Sequence, residues 1–221
     1  MNNLYFKVKK VWDEIFEDEE VIIPEDKHVG NDDLDNALDW LCENSESVLD
    51  FGCGNGAMLF CCGHRGTKEH IGIDISTAGI ANAKECKKLM QSGEYKFVEG
   101  DHTSLKDIDT ASVDSVILSN IIDNMIPEEV TEVLEDVSRI LKENGKVLVK
   151  LNPYITQEQI DEWGIRVIDG NLLDDGLLLW NQTTEEWDEL LLKYFNIENY
   201  TEVYYEEIET YNRLYSVTKK K

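Results

Sequence analysis

The chain is predicted to be an α/β protein: a doubly wound, mostly parallel sheet with helices on both faces and an antiparallel strand pair at the C-terminal end. Three observations predict this. Between residues 47 and 152, short apolar runs alternate with helical patterns at βα spacing. A glycine-rich turn, Gly52-x-Gly54-x-Gly56, joins the first run to its helix. The last two β-rich runs, "IENYTEVYYEEIE" and "YNRLYSVTKK", are linked so tightly around Thr210 that they must be antiparallel.

Taken in order, the elements begin with a helical lead-in. In "DDLDNALDWLCEN", Leu34, Ala37, Leu38 and Leu41 share one helical face. The first strand is expected at about Ser47–Phe51, followed by a helix opening near Gly56 and stopping near Gly63. "HIGIDIS" supplies strand two, and Ser76 caps a helix that runs towards Gly93. "EYKFVEGD" and "VDSVILSN" are strands three and four. Pro127 opens a helix with the apolar stripe Val130, Val133, Leu134, Val137, Ile140 and Leu141, closed by Gly145. "GKVLVKLN" is strand five. Thr156 caps a short helix through Trp163, and "RVIDGNLLDDGLLLWN" reads as a small hairpin around a Gly/Asn/Asp turn. Thr183 and Glu186 have capping-box spacing and open the last helix. The expected organisation is a lead-in or lid over residues 1–45 and a Rossmann-like domain over 46–221, with the hairpin inserted at about 165–181.

Composition narrows the function. The 221 residues are 42% hydrophobic, sufficient for a full core, and no segment approaches the length of a membrane span. The first twenty residues carry charges throughout and lack the apolar stretch of a secretion signal, so a cytoplasmic location is expected. Five cysteines, three of them at Cys53, Cys61 and Cys62, suit a reducing compartment. A metal site from Cys61, Cys62 and His64 is disfavoured, because adjacent helical cysteines diverge and no second pair has zinc spacing. The net charge of −25 repels phosphate backbones and anionic lipid, which argues against nucleic acid or a membrane surface as partner.

Gly52, Gly54 and Ala57 satisfy the G-x-G-x-x-A of dinucleotide dehydrogenases, and Asp74 lies 22 residues after Gly52, near the place of a ribose-binding acid. Three features oppose that reading. Asp50, just before the glycines, would repel a pyrophosphate but suits an ammonium group. "EGD" places Asp101 beside the next pocket along the sheet edge, where it can accept from an exocyclic amine. The chain also closes with an antiparallel pair rather than a second βαβαβ half.

As an ordered set, "VLDFGCGNG", "IGIDIS", "FVEGDHTSL", "VDSVILSNIIDNM" and "RILKENGKVLVK" resemble the class I S-adenosylmethionine-dependent methyltransferases, in particular the small-molecule group that includes the ubiquinone-biosynthesis type. The resemblance covers about residues 45–152 by motif. It implies S-adenosylmethionine as cofactor, with S-adenosylhomocysteine as product. By position, Asp50 and the backbone around Gly52 and Gly54 would hold the methionine moiety, and Gly56 would let the helix start approach closely. Asp74 would take the ribose hydroxyls and Ile75 would pack on the adenine. Asp101 would accept from the adenine amine, with the His102 amide near a ring nitrogen, and Asn120 would lie beside the sulfonium.

Methyl transfer from a sulfonium needs no metal, only in-line placement of the nucleophile in a dry site and, for OH or NH acceptors, a base. Asp123 and Asn124 after strand four are expected to face the acceptor as the catalytic candidates, with Asp123 the candidate base. His28 in the lead-in, where Phe6, Trp12 and Phe16 add aromatic faces, is a further catalytic candidate. Tyr154, Trp163 and Trp180 are further aromatic candidates for the acceptor pocket. The histidine common after strand four in the small-molecule group and the Asp/Asn-Pro-Pro-aromatic signature of amide methylation are both missing. A small-molecule acceptor is expected. The alternatives are a protein or peptide acceptor, or a silent S-adenosylmethionine-binding regulator.

Overall fold

The computed structural model describes residues 3–18, 20, 22–206 and 209–220. Five parallel strands form its centre: β1 (Ser47–Phe51), β2 (Glu69–Asp74), β3 (Glu94–Glu99), β4 (Val113–Ser119) and β5 (Leu141–Leu151). Two long strands, β9 (Phe195–Tyr205) and β10 (Thr210–Lys219), complete a seven-stranded sheet of order β3-β2-β1-β4-β5-β10-β9. β10 runs antiparallel to both β5 and β9.

Alternation along the strands sorts side chains to two faces. On one face Val48, Ile117, Leu148 and Leu214 meet α2 (Asp32–Cys42), α3 (Ala57–His64) and α4 (Thr77–Lys87). On the other face Leu49, Val116, Val147 and Tyr215 meet α5 (Pro127–Ile140) and α7 (Thr184–Leu191). Three of these helices start on capping residues legible in the sequence. Asn31 caps α2, Ser76 caps α4, and Thr183 forms a reciprocal capping box with Glu186.

Three boundaries differ from expectation. α4 stops at Lys87, and α5 stops at Ile140, where Leu141 already pairs with Val113. Thr156 caps α6 (Gln157–Trp163) in its own capping box with Gln159. The expected hairpin is a three-stranded antiparallel sheet of β6 (Arg166–Asp169), β7 (Leu172–Asp174) and β8 (Leu178–Trp180). The extra strand follows from Gly170, which at φ 55° turns β6 back onto β7.

α1 (Asn3–Glu17) belongs to neither layer. Its Val8 and Trp12 pack on Leu172, Leu178 and Trp180 of the small sheet. Its C-terminal half is tied to the start of α4 through Asp13, Phe16 and Asn82. α1 thus crosses the C-terminal ends of the parallel strands. No helix among the described residues is long and apolar enough to cross a membrane.

Candidate active site

β1 and β4 are neighbours whose connections leave in opposite directions, and a crevice opens at their C-terminal ends. A cavity of about 330 Å³ occupies it, roofed by Tyr5, Val8, Trp12 and Phe16 of α1. The glycine loop forms its floor. Gly52 N and Cys53 N both donate to Ile73 O, at 2.8 and 3.1 Å, which binds the β1 turn to β2. Gly54, at φ 51°, lies in the left-handed region that disfavours a side chain. A Cβ there would stand 2.6 Å from Phe16 Cζ, so the missing side chain makes room for a ring of the chain's own lid.

Asp74 ends β2 and locks this loop. Its Oδ2 accepts from Gly54 N and its Oδ1 from Ser76 N, both at 2.7 Å. Burial raises its pKa, against the lowering effect of these two amides. Each oxygen keeps a free lone pair for a ligand hydroxyl. Asp50 is buried and is not among the residues that line the cavity, although its neighbours Phe51 and Gly52 are. Its Oδ1 is buried without a hydrogen-bond partner among the described residues. Burial, reinforced by the charge of Asp74, pushes its pKa up to about 8.

Ile75, Asp101, His102 and Asn120 line the same cavity. Asp101 Oδ1 accepts from Thr103 N at 3.0 Å and from Thr103 Oγ1 at 2.6 Å, which opens the 3₁₀ turn His102–Asp107. Asn120 takes a left-handed φ of 51°, and its Nδ2 donates to Asn152 Oδ1 at 2.9 Å. Asn124 also faces the cavity, and its Oδ1 accepts from Asn152 Nδ2 at 3.0 Å.

Three sequence expectations require correction. Asp123 does not line the cavity. It is fully buried, and its Oδ2 accepts from Asn152 N and Nδ2 at 2.6 and 2.9 Å. Burial lifts its pKa to about 6, but the group ties the β4 and β5 loops together rather than facing a substrate. His28 is outside the cavity lining, on the approach to α2, where its Nδ1 sits 3.2 Å from Asp35 Oδ2. Gly56 is also away from the lining. It is the left-handed N-cap of α3, and a Cβ on it would strike Phe97 at 2.8 Å, so it serves packing beneath the helix.

Among the aromatic candidates, Trp12 and Phe16 stack on each other at 5.9 Å and line the roof. Phe6, Tyr154 and Trp163 are exposed, and Trp180 packs edge-on against Trp187. Cys61 and Cys62 are buried at the α3 end, and His64 Nε2 lies 3.0 Å from Pro24 O.

Among the lining residues that the sequence analysis does not single out are Tyr5, Val8, Met125 and Glu129. Tyr5, Val8, Trp12 and Phe16 fall at helical spacing on one face of α1, so periodicity carried the signal for the first two. Glu129 was hidden because an acid in a first helical turn ordinarily answers the helix dipole. Asp74, Asp101 and Glu129 put three carboxylates in a lining that contains neither Lys nor Arg among the described residues.

Residues 49–149 match the family described as "Methyltransferase domain". Over those residues the chain is similar to that family. The methyltransferase domain is similar to the ribosomal protein L11 methyltransferase of Clostridium botulinum (strain Alaska E43 / Type E3). The match is 25% identical over 177 residues, 74% of this chain and 54% of that protein. A human eEF1A lysine and N-terminal methyltransferase is 32% identical over 103 residues, 47% of this chain and 14% of that protein. The chain thus spans about half the length of the L11 methyltransferases it matches (54% and 42% of the two clostridial proteins) and far less of the human one. Among solved structures, the PH0226 protein from Pyrococcus horikoshii OT3 superposes with a TM-score of 0.68 at 24% identity, over 85% of this chain and 88% of that one. The N-methyltransferase NodS from Bradyrhizobium japonicum WM9, in complex with S-adenosyl-L-homocysteine, gives 0.69 at 11% identity over 97% of this chain and 100% of its own. The methyltransferase domain therefore has the seven-stranded Rossmann-like fold of these proteins.

Proposed function

We propose that this domain uses S-adenosylmethionine to methylate a small-molecule acceptor by in-line displacement. The observation that carries this reading is the roofed cavity at the β1/β4 switch point, with aromatic faces above and carboxylates on its walls. A donor bearing an ammonium and a sulfonium fits that lining, whereas a pyrophosphate would meet acids without countercharge. The orphaned oxygen of Asp50 is a buried acceptor awaiting a positive partner.

When bound, S-adenosylmethionine supplies an electrophilic methyl carbon with a neutral thioether as leaving group. In this reading Asp50 and the Gly52–Gly54 backbone hold the amino-acid end. Asp74 takes the ribose hydroxyls, Ile75 packs on the adenine, and Asp101 with the His102 amide reads its edge. Asn120, fixed through Asn152, stands beside the sulfur, and Asn124 orients the acceptor. Trp12 and Phe16 exclude water, which favours a step that disperses charge.

A second reading, a protein acceptor, is favoured by the names of the L11 and eEF1A relatives and by a net charge of −25 that would attract basic proteins. Methyl-labelled S-adenosylmethionine, incubated with the purified protein and a cell extract split by ultrafiltration, separates the two. Label in the small-molecule fraction is the expected result. Label confined to protein would replace the small acceptor with a protein one, and donor binding without transfer would leave a regulator.

A further inference from the structure

We propose that Glu129 and Asp101 together read the exocyclic amine of the donor's adenine, which makes Glu129 a specificity residue of the donor site. This rests on the donor reading above.

Glu129 enters the cavity from the first turn of α5, opposite the end of β3 that carries Asp101. The usual role for an acid at this position is an exposed partner of the helix dipole. Glu129 is instead turned inward, and its Oε2 is buried without a hydrogen-bond partner among the described residues. The nearest positive candidate, His102 Nδ1, stands 3.5 Å away, beyond a normal hydrogen bond. The Tyr5 hydroxyl from α1 accepts from Ile126 N at 3.2 Å, and burial together with the nearby Glu129 carboxylate raises its pKa. Tyr5, Asp101 and Glu129 all line the cavity, and His102, the residue after Asp101, stands 3.5 Å from Glu129, so the two acids face the same space. Asp101 has committed Oδ1 to Thr103 and keeps Oδ2.

Among the described residues, neither Glu129 Oε2 nor Asp101 Oδ2 has a hydrogen-bond donor, so that corner offers two carboxylate oxygens to a ligand. An exocyclic amine has two N–H bonds, and one acid satisfies only one of them. A buried N–H left unpaired weakens binding by roughly tenfold or more. The arrangement also rejects a purine with an oxo group there, because two anionic acceptors would face a carbonyl oxygen. Tyr5 couples this recognition to the lid, since it lines the same cavity as Glu129 and belongs to α1.

The test is calorimetric titration of wild type and Glu129→Gln with S-adenosylhomocysteine and with S-inosylhomocysteine, in which the 6-amino group is replaced by oxo. Wild type should prefer the adenine compound, and Glu129→Gln should narrow that preference by about tenfold or more, because a carboxamide can donate to the oxo group. Tyr5→Phe, which removes the lid hydroxyl near Glu129 without touching the core, should shift the ratio in the same direction by a smaller factor. An unchanged ratio in both variants, or an equal loss of both ligands, would overturn the proposal. Wild type that bound neither compound would overturn the donor reading instead.

Discussion

Asp50 is a fully buried carboxyl group whose Oδ1 has no hydrogen-bond partner among the described residues, and burial, reinforced by the charge of Asp74, pushes its pKa up to about 8. Its unfolded counterpart ionises near pH 4. Between those values the folded chain binds more protons than the unfolded one. This group's contribution to stability is therefore full below about pH 4 and is lost as pH rises towards 8. A ligand ammonium reverses the balance by favouring the carboxylate. Binding of S-adenosylhomocysteine at pH 7 should accordingly release about one proton. The heat of binding measured in buffers of different ionisation enthalpy reads that proton directly, and Asp50→Asn should abolish the buffer dependence. Equal heats in all buffers for wild type would mean that Asp50 stays protonated and does not meet the ammonium. Gly54 acts through shape rather than charge. An alanine there adopts a left-handed φ at a cost of about 1–2 kcal/mol and drives a methyl into Phe16 for about 1–3 kcal/mol more. Gly54→Ala should lower the melting temperature and weaken S-adenosylhomocysteine binding together. Recovery of stability in the Gly54→Ala/Phe16→Ala double variant would identify the ring as the obstacle, and strictly additive losses would refute that contact.

The helix that roofs the cavity is held by a small set of polar contacts at one end. Asp13 Oδ1 accepts from Ser76 Oγ at 2.7 Å and from Ala78 N at 3.1 Å, and Lys9 Nζ reaches both Asp13 and Thr77 Oγ1. Burial works to raise the pKa of Asp13, but these donors outweigh it and hold the group below the usual carboxylate value. Its stabilising contribution is thus present above the unfolded pKa and is lost as pH falls through the lower folded one. Asp13→Ala should loosen α1 from α4 while leaving both core layers intact. Its predicted signature is a loss of S-adenosylhomocysteine affinity of about tenfold with a melting temperature shifted by only a few degrees. Unaltered affinity would show that α1 does not need this latch to cover the donor. The sequence made parts of this element readable and not others. Trp12 and Phe16, four residues apart, marked a face, but nothing local said that the face covers strand ends rather than a sheet layer. Likewise the strands, their order of appearance and the caps at Ser76, Thr156 and Thr183 were legible because period and hydrogen-bonding chemistry are local. The third strand of the small sheet and the early end of α5 were not, because pairing across Gly170 and of Leu141 with Val113 is a tertiary choice. Asp50, Asp74 and Asp101 are singled out by motif spacing, and of these Asp74 and Asp101 line the cavity while Asp50 is buried outside the lining. Asp123 was misread because its partner, Asn152, comes from a different strand end.

At the scale of the whole molecule, 46 acidic side chains against 21 basic ones leave far more like-charge than opposite-charge neighbours. Two kinds of electrostatics coexist on this surface, and salt acts on them in opposite directions. Exposed pairs such as Lys68–Glu46, at 2.6 Å with both side chains about two-thirds in water, contribute little each and weaken when screened. Arg65, with only 3% of its side chain exposed, pairs with Asp35 and Asp39, and its buried contacts are screened little. The general repulsion among carboxylates is long-ranged, opposes the compact state and is also relieved by screening. Because unpaired acids outnumber pairs, repulsion should dominate. The melting temperature should therefore rise as sodium chloride increases from about 0.01 M to about 0.15 M, over which the Debye length shrinks from about 30 to about 8 Å. The same change should leave stability nearly flat near pH 4.4, where the net charge vanishes. A melting temperature that fell with salt at neutral pH would mean that the surface pairs outweigh the repulsion. The acidic excess would then stabilise the fold instead of working against it.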